Sequence, residues 1–560
     1  MGIVMGPTVA RCAAATIFVA VAPGISHAQS PAPTRQELNP AARAQVAPPP
    51  ADLFSQPGAG ECPLAENPAA LTVTSVTFRG LQSVKAEELA PIYADLLNRP
   101  GDASDLCKIR DRVADALFDR GLLARVEIPA QTIDGGAVTL EVIEAHIVNV
   151  SVRGDPGPTA PLLERYARKL RGMAPFDIKE VQRYILLASD VPGLKVRASV
   201  RPNLSGARGA VDLDLAVVRD DEDLIVNAQN LQGKATGRFG FLARYDLNAR
   251  TRYGERTSMV FYRTIKNEQW VVQGLEEVRL GGEGTVLRGG VAYGESRPGD
   301  TLKGLGLKSV SVVGNLEVAY PLVRKRRENL WVAAGFEYID QDTRLGGGGK
   351  LINDDLRIFY ARVEGDQTAY YGYRPIVLQA SASLRRGIEG FGATDEGDRL
   401  LSRFEARPAA WTFTAEASAQ AVITPRISAY VEVQGQYANQ PLAAYEEFAV
   451  GSLTIGRGYD PGYISGDQAL AATFEIRGGP FQPRSGWAVS PYAFFDIAQT
   501  KDKDRGGVQQ TLKSVGAGFQ VPVRERWVLD LSYARPLDKR AIDRKKPPGR
   551  LLLNLTARFF

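Results

Sequence analysis

The sequence predicts a mainly β fold, in which a sixteen-stranded antiparallel transmembrane β-barrel follows two small β-α-α-β-β domains. Three observations predict this fold. Residues 71–218 contain two copies of one pattern of strands and helices. From residue 222 to the end of the chain, helical periodicity is replaced by successive segments in which apolar and polar residues alternate. The connections between these segments also alternate in length, as they do in barrels that cross an outer membrane.

The composition argues against several classes of protein. The 560 residues include 68 Lys and Arg and 63 Asp and Glu, a formal net charge of +5 with the two signs interspersed, so no nucleic-acid partner is expected. Two histidines and three cysteines offer little for nucleophilic catalysis or a zinc site. Residues 346–350 superficially resemble a phosphate loop, but Arg344 and Leu351 stand where Gly and Ser or Thr are needed. We therefore expect no enzyme activity, nucleotide, cofactor or metal.

The first 28 residues are typical of a secretory signal peptide. Arg11 precedes an apolar stretch, residues 12–22, that is too short to span a membrane, and Ser26 and Ala28 suit the −3 and −1 positions of a cleavage site. A disordered N-terminus is the alternative. Residues 29–68 form a linker rich in Pro and Ala. Within it, the capping box at residues 34–37 predicts a short helix that continues through residues 38–46 and is kinked by Pro40, with a plain linker as the alternative.

Removal of the signal peptide leaves one pair of cysteines, Cys62 and Cys107. An exported protein with a single such pair can oxidise it. Cys62 precedes the first small domain, and Cys107 lies early in a predicted helix of that domain. We expect a Cys62–Cys107 disulfide, with two buried free thiols as the alternative.

The two small domains are predicted at residues 69–145 and 146–221. Each opens with a strand closed by an Arg-Gly pair, and the pairs lie 74 residues apart. Two helices and two strands follow in each copy, so each domain packs two helices on one face of a small sheet. The predicted elements are strand 71–78, helices 86–97 and 104–120, and strands 123–128 and 137–144, and then strand 147–152, helices 162–169 and 177–187, and strands 195–200 and 211–217.

The remaining residues, 222–560, are predicted to form the barrel. Its sixteen strands are predicted at residues 224–231, 238–247, 255–263, 269–280, 286–295, 309–321, 330–340, 356–367, 374–384, 402–423, 427–437, 468–477, 487–497, 512–521, 527–534 and 551–559. If the first strand runs outward, the third to the eighth outer connections are long, and the first two are not. In that order, the long ones are residues 296–308, 341–355, 385–401, 438–467, 498–511 and 535–550. A large soluble β-domain is the alternative, but it gives no reason for this alternation. A barrel of this size encloses a water-filled lumen, so function should lie in what fills or crosses it.

The candidate site begins in the sixth outer connection. Arg457 stands there between Gly456 and Gly458 and is followed by Tyr459. The glycines permit a close approach to another surface, and an arginine presented in this way can form a bidentate pair with one carboxylate. Asp496 is the candidate partner, because it points away from the apolar face of its strand. That face comprises Trp487, Val489, Phe495 and Ile497. A solvated arginine in a glycine-rich loop is the alternative.

At these motifs the chain resembles the two-partner secretion transporters, which belong to a superfamily of outer-membrane insertases and translocators. The resemblance covers residues 71–560. It implies that the two small domains are periplasmic polypeptide-transport-associated (POTRA) domains. It also implies that the sixth loop folds back into the lumen, where Asp496 on the barrel wall holds Arg457 as a lock.

The two motifs depart from the family pattern at one position each. Gly456 replaces the hydrophobic residue often found in the family's Val-Arg-Gly-Phe/Tyr tip. On the wall, Phe494 and Asp496 match the pattern Phe/Gly-x-Asp-x-Gly, but Ala498 replaces the last glycine. These departures affect the side contacts of the expected Arg457–Asp496 pair and leave the pair itself intact.

The resemblance implies a pore in the bacterial outer membrane that secretes one large, unfolded exoprotein of the adhesin or haemolysin type. Extended cargo can add to a sheet edge through main-chain hydrogen bonds, and residues 123–128 and 195–200 are the candidate edges. Outer-membrane lipid and the barrel assembly machinery are the other expected partners. The alternatives are a factor that inserts other barrels into the membrane and a hydrolase that acts in the lumen.

The last strand carries the expected assembly signal. In the families that the chain resembles, the barrel usually ends in an aromatic residue in phase with the outward apolar residues. Phe559 has this phase and Phe560 does not, so we expect Phe559 to act as the signal and Phe560 to be one residue extra. An ordinary hydrophobic C-terminal strand is the alternative.

Overall fold

The computed structural model describes residues 32–40, 62, 64, 69–346, 348–504, 507–524, 526–539 and 546–559. The predicted signal peptide, most of the predicted linker and Phe560 lie outside these residues. Among the described residues, no helix is both long and apolar enough to cross a membrane. Helix α1 spans Arg35–Leu38 and ends at Asn39, because a residue before proline is disfavoured in the helical region. The helix is thus interrupted just before Pro40, and the predicted continuation through residues 41–46 lies outside the described part of the chain.

Each small domain has a three-stranded sheet with two helices. The first contains β1 (Ser75–Arg79), α2 (Ala86–Tyr93), α3 (Asp105–Asp119), β2 (Ala124–Glu127) and β3 (Ala137–Glu144), and the second contains β4 (His146–Gly154), α4 (Ala160–Leu170), α5 (Ile178–Ser189), β5 (Leu194–Pro202) and β6 (Ala210–Arg219). The strand orders are β1-β3-β2 and β4-β6-β5. The predicted β-α-α-β-β pattern is confirmed, and β2 and β5, the candidate cargo edges, are edge strands.

The repeated Arg-Gly pair has a structural reason. Gly80 and Gly154 have φ values of +84° and +93°. A Cβ atom at Gly80 would lie 2.4 Å from the carbonyl oxygen of Val142, and one at Gly154 would lie 2.2 Å from that of Val217. Since only glycine combines this backbone conformation with the absence of a Cβ atom, both copies require it at the same point.

The two small domains are joined without a flexible linker. Ala145 alone separates β3 from β4. Its N–H donates to the carbonyl of Leu123 at 2.8 Å, and its own carbonyl accepts from the N–H of Phe176 at 2.7 Å. These backbone bonds tie Ala145 to both domains and hold the domains in one relative orientation.

The remaining strands follow in chain order. They are β7 (Glu222–Gln229), β8 (Gly240–Asn248), β9 (Arg256–Thr264), β10 (Gln269–Leu280), β11 (Thr285–Ser296), β12 (Lys308–Arg324), β13 (Glu328–Arg344), β14 (Lys350–Tyr371), β15 (Arg374–Gly387), β16 (Trp411–Thr424), β17 (Ile427–Ala438), β18 (Phe448–Val450), β19 (Ile464–Gly466), β20 (Gln468–Gly478), β21 (Phe481–Arg484), β22 (Trp487–Lys501), β23 (Gln509–Val523), β24 (Trp527–Pro536) and β25 (Arg550–Phe559). Apart from the short β18, β19 and β21, these strands form a closed antiparallel barrel in which β25 pairs with β7. The predicted sixteen-stranded barrel is confirmed.

Three predicted loop lengths are wrong. The seventh outer connection is only residues 502–508, because β22 continues to Lys501 and β23 begins at Gln509. The fourth outer connection is only residues 345–349, because β13 and β14 continue with polar residues beyond the stretch in which apolar and polar residues alternate. The predicted strand 402–423 begins only at Trp411. Pro408, which has no N–H for a strand ladder, lies just before it, and residues 388–410 form the fifth outer loop.

The outer surface of the barrel is apolar with aromatic residues near both ends. Met259, Leu470 and Ile476 are each more than 60% exposed on the wall. Trp411 lies at the outer end of its strand, whereas Trp487 and Trp527 lie at the end next to the small domains. An apolar band between aromatic girdles is the surface that a lipid bilayer requires.

The second small domain is docked on the inner end of the barrel. Asp190, after α5, forms an ion pair with Arg324 at 2.6 Å. Glu283, in the turn between β10 and β11, accepts a hydrogen bond from the hydroxyl of Tyr184 at 3.1 Å. A hydrogen bond from Lys169 holds the pKa of the Glu283 carboxyl below its usual value, so this carboxylate is charged at neutral pH. The small domains therefore sit at a fixed position below the lumen.

Candidate functional site

The sixth outer loop, residues 439–467, connects β17 to β20 and folds back onto the inner wall of the barrel. Strands β18 and β19 pair as a short hairpin within it. Gly456 has a φ of +116°, which explains why glycine stands where the family pattern has a hydrophobic residue. The adjacent Ile455 is 3% exposed and fills the apolar space instead. The tip of the loop then turns through a hydrogen bond from the N–H of Tyr459 to the carbonyl of Gly456 at 2.9 Å.

Arg457 is bound to the barrel wall through its backbone and its side chain. Its backbone N–H donates to Asp496 at 2.9 Å, and its guanidinium donates to both oxygens of the same carboxylate, at 2.6 and 3.2 Å. The guanidinium also donates to Glu475 and to the hydroxyl of Thr473, each at 2.6 Å. This arrangement is the bidentate pair that the sequence predicts, extended by a second carboxylate.

Asp496 is 1% exposed, and its carboxylate has further partners on the neighbouring strands. The hydroxyl of Thr473 on β20 donates to one oxygen at 2.7 Å, and that of Ser514 on β23 donates to the other at 3.0 Å. Both residues lie in register with Asp496 across the ladder. Five donors thus converge on this buried carboxylate: three from Arg457 and one each from Thr473 and Ser514.

The two wall positions on either side of Asp496 contact the loop. The ring of Phe494 lies under the Arg457 guanidinium, with its centroid 3.5 Å from the central carbon, a cation–π arrangement. Ala498 is 1% exposed and packs in a buried apolar cluster with Ile455 and Tyr459 of the loop. The methyl group that distinguishes Ala498 from glycine therefore fills space against the loop.

The rest of the loop tip fits closely against the wall. A Cβ atom at Gly458 would lie 2.8 Å from the Cβ of Ser514 and 2.9 Å from the backbone nitrogen of Pro536, so no side chain fits there. Tyr459 is fully buried, and its hydroxyl donates to the carbonyl of Lys513 at 2.9 Å. The structure thus brings all seven predicted loop and wall residues together.

Helix α1 occupies the lumen beside this loop. Its capping box is present: the Thr34 hydroxyl accepts from the N–H of Glu37, and the Glu37 carboxylate accepts from the N–H of Thr34. Arg35 forms an ion pair with Glu446 of the sixth loop. On the wall, Gln341 donates to the carbonyl of Pro33 at 2.9 Å. The short helix is therefore a lumenal plug.

The plug and the loop share one buried ion network. Arg385 on β15 bridges Glu446 of the loop, at 3.0 Å, and Glu337 of β13, at 2.5 Å. Tyr445 packs against the Arg35 guanidinium at 5.2 Å. Sequence reasoning missed Arg35, Arg385 and Glu337. The side chains of Arg385 and Glu337 point into the lumen, but so do those of many other charged residues on the strands, so this orientation alone does not select them.

Arg403 ties three outer loops together. Arg403 of the fifth loop forms ion pairs with Glu447 and Asp467 of the sixth loop and with Asp504 after β22, at 2.6–2.8 Å. The carboxylates of Asp467, Asp502 and Asp504 lie within 4.8 Å of one another. Since the Arg403 guanidinium contacts two of these three carboxylates, the group is an ion-pair cluster.

The other predicted residues lie away from the lumen. Cys62 and Cys107 form a disulfide with a Cα–Cα distance of 5.7 Å, which ties the segment before the first domain to α3. Phe559 packs edge-on against Trp527, with ring centroids 5.9 Å apart, on the outer face of the barrel. Phe560 lies outside the described residues.

Comparison with known proteins shows that parts of this chain match two family models. Residues 308–521 match the family model for the haemolysin secretion/activation proteins ShlB/FhaC/HecB, and residues 71–145 match the ShlB-type POTRA domain. The two matched regions together cover more than half of the chain. The chain is also 20% identical over 493 residues to the heme/hemopexin transporter protein HuxB of Haemophilus influenzae, covering 84% of each sequence.

Solved structures share the architecture. CdiB from Escherichia coli superposes with a TM-score of 0.72 at 16% identity, covering 91% of this chain and 94% of that one. CdiB from Acinetobacter baumannii gives 0.64 at 16% identity, with 94% and 97% covered. BamA from Haemophilus ducreyi lacking POTRA domains 1–3 gives 0.53 at 13% identity, with 88% and 100% covered. At these low sequence identities, the superpositions show that the chains share a fold.

Proposed function

We propose that this chain, which belongs to the haemolysin secretion/activation protein family, is an outer-membrane pore that moves one large partner exoprotein from the periplasm to the cell surface. The barrel lies in the outer membrane, and the two POTRA domains lie in the periplasm. HuxB, a relative, is described as a heme/hemopexin transporter protein. For the present chain we propose an adhesin- or haemolysin-type cargo that crosses in an unfolded state.

One observation carries this proposal: two separate segments, α1 and the sixth loop, fill the lumen, and each is tied to its neighbours there by ion pairs and hydrogen bonds. Arg35 and Arg457 are the contact residues of the plug and the loop. Such contacts can be exchanged for water when a segment moves, whereas a packed apolar core cannot be opened so readily. We propose that Arg457 and Asp496 are the lock that holds the closed state.

The periplasmic domains would deliver the cargo. Edge strands β2 and β5 each offer unpaired backbone groups to which an extended segment can add. Because the second domain is docked on the barrel through Asp190 and Arg324, a segment bound there lies next to the inner mouth of the lumen. We further propose that the barrel assembly machinery inserts the chain into lipid, with Phe559 as the recognition signal.

Deleting the gene tests secretion against the rival role in barrel assembly. We expect the deletion strain to lose one large protein from its surface and culture medium, while the other outer-membrane proteins stay at wild-type abundance. Quantitative mass spectrometry of both fractions measures this, with the wild-type gene on a plasmid as the control. A general fall in outer-membrane proteins would contradict the proposal and favour an assembly factor.

A further inference from the structure

A buried arginine lies at the outer end of the last strand, apart from the Arg457 pair. Arg550 is the first residue of β25 and is 4% exposed. It belongs to the strand that closes the barrel against β7. Its contacts run to two different parts of the molecule, the sixth loop and the connection between β7 and β8.

On the loop side, Arg550 binds the residues that follow the lock. Its guanidinium donates to the carbonyl of Tyr459 and, at 2.9 Å, to the hydroxyl of Ser452. It also forms an ion pair with Asp460 at 3.1 Å. Tyr459 is two residues from Arg457, so the docked position of Arg457 and the binding of Arg550 depend on the same loop conformation.

The junction at which β25 pairs with β7 is the seam of the barrel. On the other side of this seam, Arg550 binds the connection that follows β7. It donates to the carbonyls of Leu231 at 3.2 Å and Gln232 at 3.0 Å. Asp460 faces the same connection, because one carboxylate oxygen accepts from the backbone N–H of Lys234 at 3.4 Å. Ser452 of the loop also donates to the carbonyl of Leu231, at 2.5 Å. The loop tip thus lies between the outer ends of β25 and β7 and bonds to both.

The seam itself is weakly paired at this end. Strands β25 and β7 align over six residue pairs, from Asn554–Gln229 to Phe559–Leu224, which is the shortest ladder between adjacent long strands in the described part of the barrel. Above it, the side chain of Asn230 takes the place of a strand: it donates to the carbonyl of Leu551 at 2.8 Å and accepts from the N–H of Leu553 at 2.7 Å. The backbone N–H of Asn230 also donates to the carbonyl of Leu553 at 3.1 Å, and beyond that bond residues 550–552 are joined to the β7 side through side-chain contacts.

We propose that Arg550 is a positioning residue that couples the sixth loop to the β7–β25 seam, so that release of the loop also opens the outer end of the seam. When Arg457 leaves Asp496, Tyr459 and Asp460 move with it, and Arg550 loses its loop partners. The remaining bonds of Arg550 are to neutral carbonyls, which leave its buried charge without an anion. The inference rests on the proposed function for its biological meaning, but the coupling is a property of the protein without cargo.

Hydrogen–deuterium exchange on the purified full-length protein in lipid nanodiscs tests the coupling, because exchange reports local opening. Arg457→Ala should speed exchange in the sixth loop and, by about tenfold, in residues 230–232 and 550–553, the change expected from losing one charged hydrogen bond. Arg550→Gln should speed exchange at the seam by a similar factor while Arg457 is intact. The double variant should exchange at the seam no faster than Arg550→Gln.

Arg558→Gln is the matched control, because Arg558 lies on the same strand and pairs with Asp223 of β7 at the opposite end of the seam. It should leave exchange at residues 550–553 and in the sixth loop unchanged. Arg550→Lys serves as a second variant if Arg550→Gln does not fold. Wild-type exchange at the seam in Arg457→Ala, or in the Arg550 variant, would overturn the coupling. Since no cargo is present, this result stands apart from success or failure of the secretion proposal.

Discussion

Arg457 is held by three kinds of contact at once. It has a bidentate ion pair with Asp496, a second ion pair with Glu475 and a stacking contact with the ring of Phe494. Lysine offers one point charge and no planar fork, so it cannot make all three. The chemistry therefore requires arginine at this position.

Arg457→Ala should leave the barrel folded and abolish secretion. The substitution leaves Asp496 buried without its cation, which costs about 3 kcal/mol in the docked state and favours release of the loop. The sixteen ladders do not involve this side chain and should persist. Heat-dependent mobility on denaturing gels reports the fold, and cargo in the medium reports secretion.

Arg477→Ala is the control for that variant, because Arg477 contacts the same Glu475 at 2.6 Å from within β20. It should fold and secrete as the wild type does. Normal secretion by Arg457→Ala would show that the Arg457–Asp496 pair is not needed for secretion.

The sequence predicted the Arg457–Asp496 pair from two local signals, an arginine between glycines and a carboxylate out of phase with an apolar face. Thr473, Glu475 and Ser514 were missed, although each is a polar residue with inward phase. Their role depends on which residues of three strands lie side by side. Register of that kind is set by the turns and ladders of the folded barrel and is not visible in one segment.

At the scale of elements, strand positions were predictable and strand ends were not. Apolar and polar residues alternate along a strand where one face of the sheet meets lipid and the other meets water. All sixteen strands cross the lipid, so this pattern located each of them. Beyond the lipid both faces are wet and alternation stops, although the ladder of β13 and β14 continues. For α1, the capping box was a visible signal, but a helix of four residues carries no information about where it docks.

Arg35→Ala should open the plugged pore. It removes the ion pair between α1 and Glu446, while Arg385 remains to neutralise Glu446. The weaker hold on α1 should increase the fraction of time for which single channels conduct in planar lipid bilayers. Arg35→Lys keeps the positive charge and should stay close to the wild type. Equal open fractions in the alanine variant and the wild type would show that this ion pair does not hold the plug.

At the scale of the whole molecule, the two POTRA domains and the barrel are joined to one another, and α1 and the sixth loop lie inside the barrel. Ala145 joins the two domains, and Asp190 and Arg324 join the second domain to the barrel. The proposed route of the cargo leads from the edge strands through the lumen to the outer loops. The central claim is that cargo passes inside the barrel wall.

Photo-crosslinking in living cells tests that claim most directly. Gln434 on β17 has the same inward phase as Gln436, whose amide contacts the sixth loop at 2.9 Å, whereas the neighbouring Val433 faces outward and is 37% exposed. A photoreactive residue at position 434 should yield a covalent adduct with the exoprotein that the deletion strain fails to secrete. The same residue at position 433 should yield none. An adduct at 433, or none at 434 in a variant that still secretes, would contradict passage through the lumen.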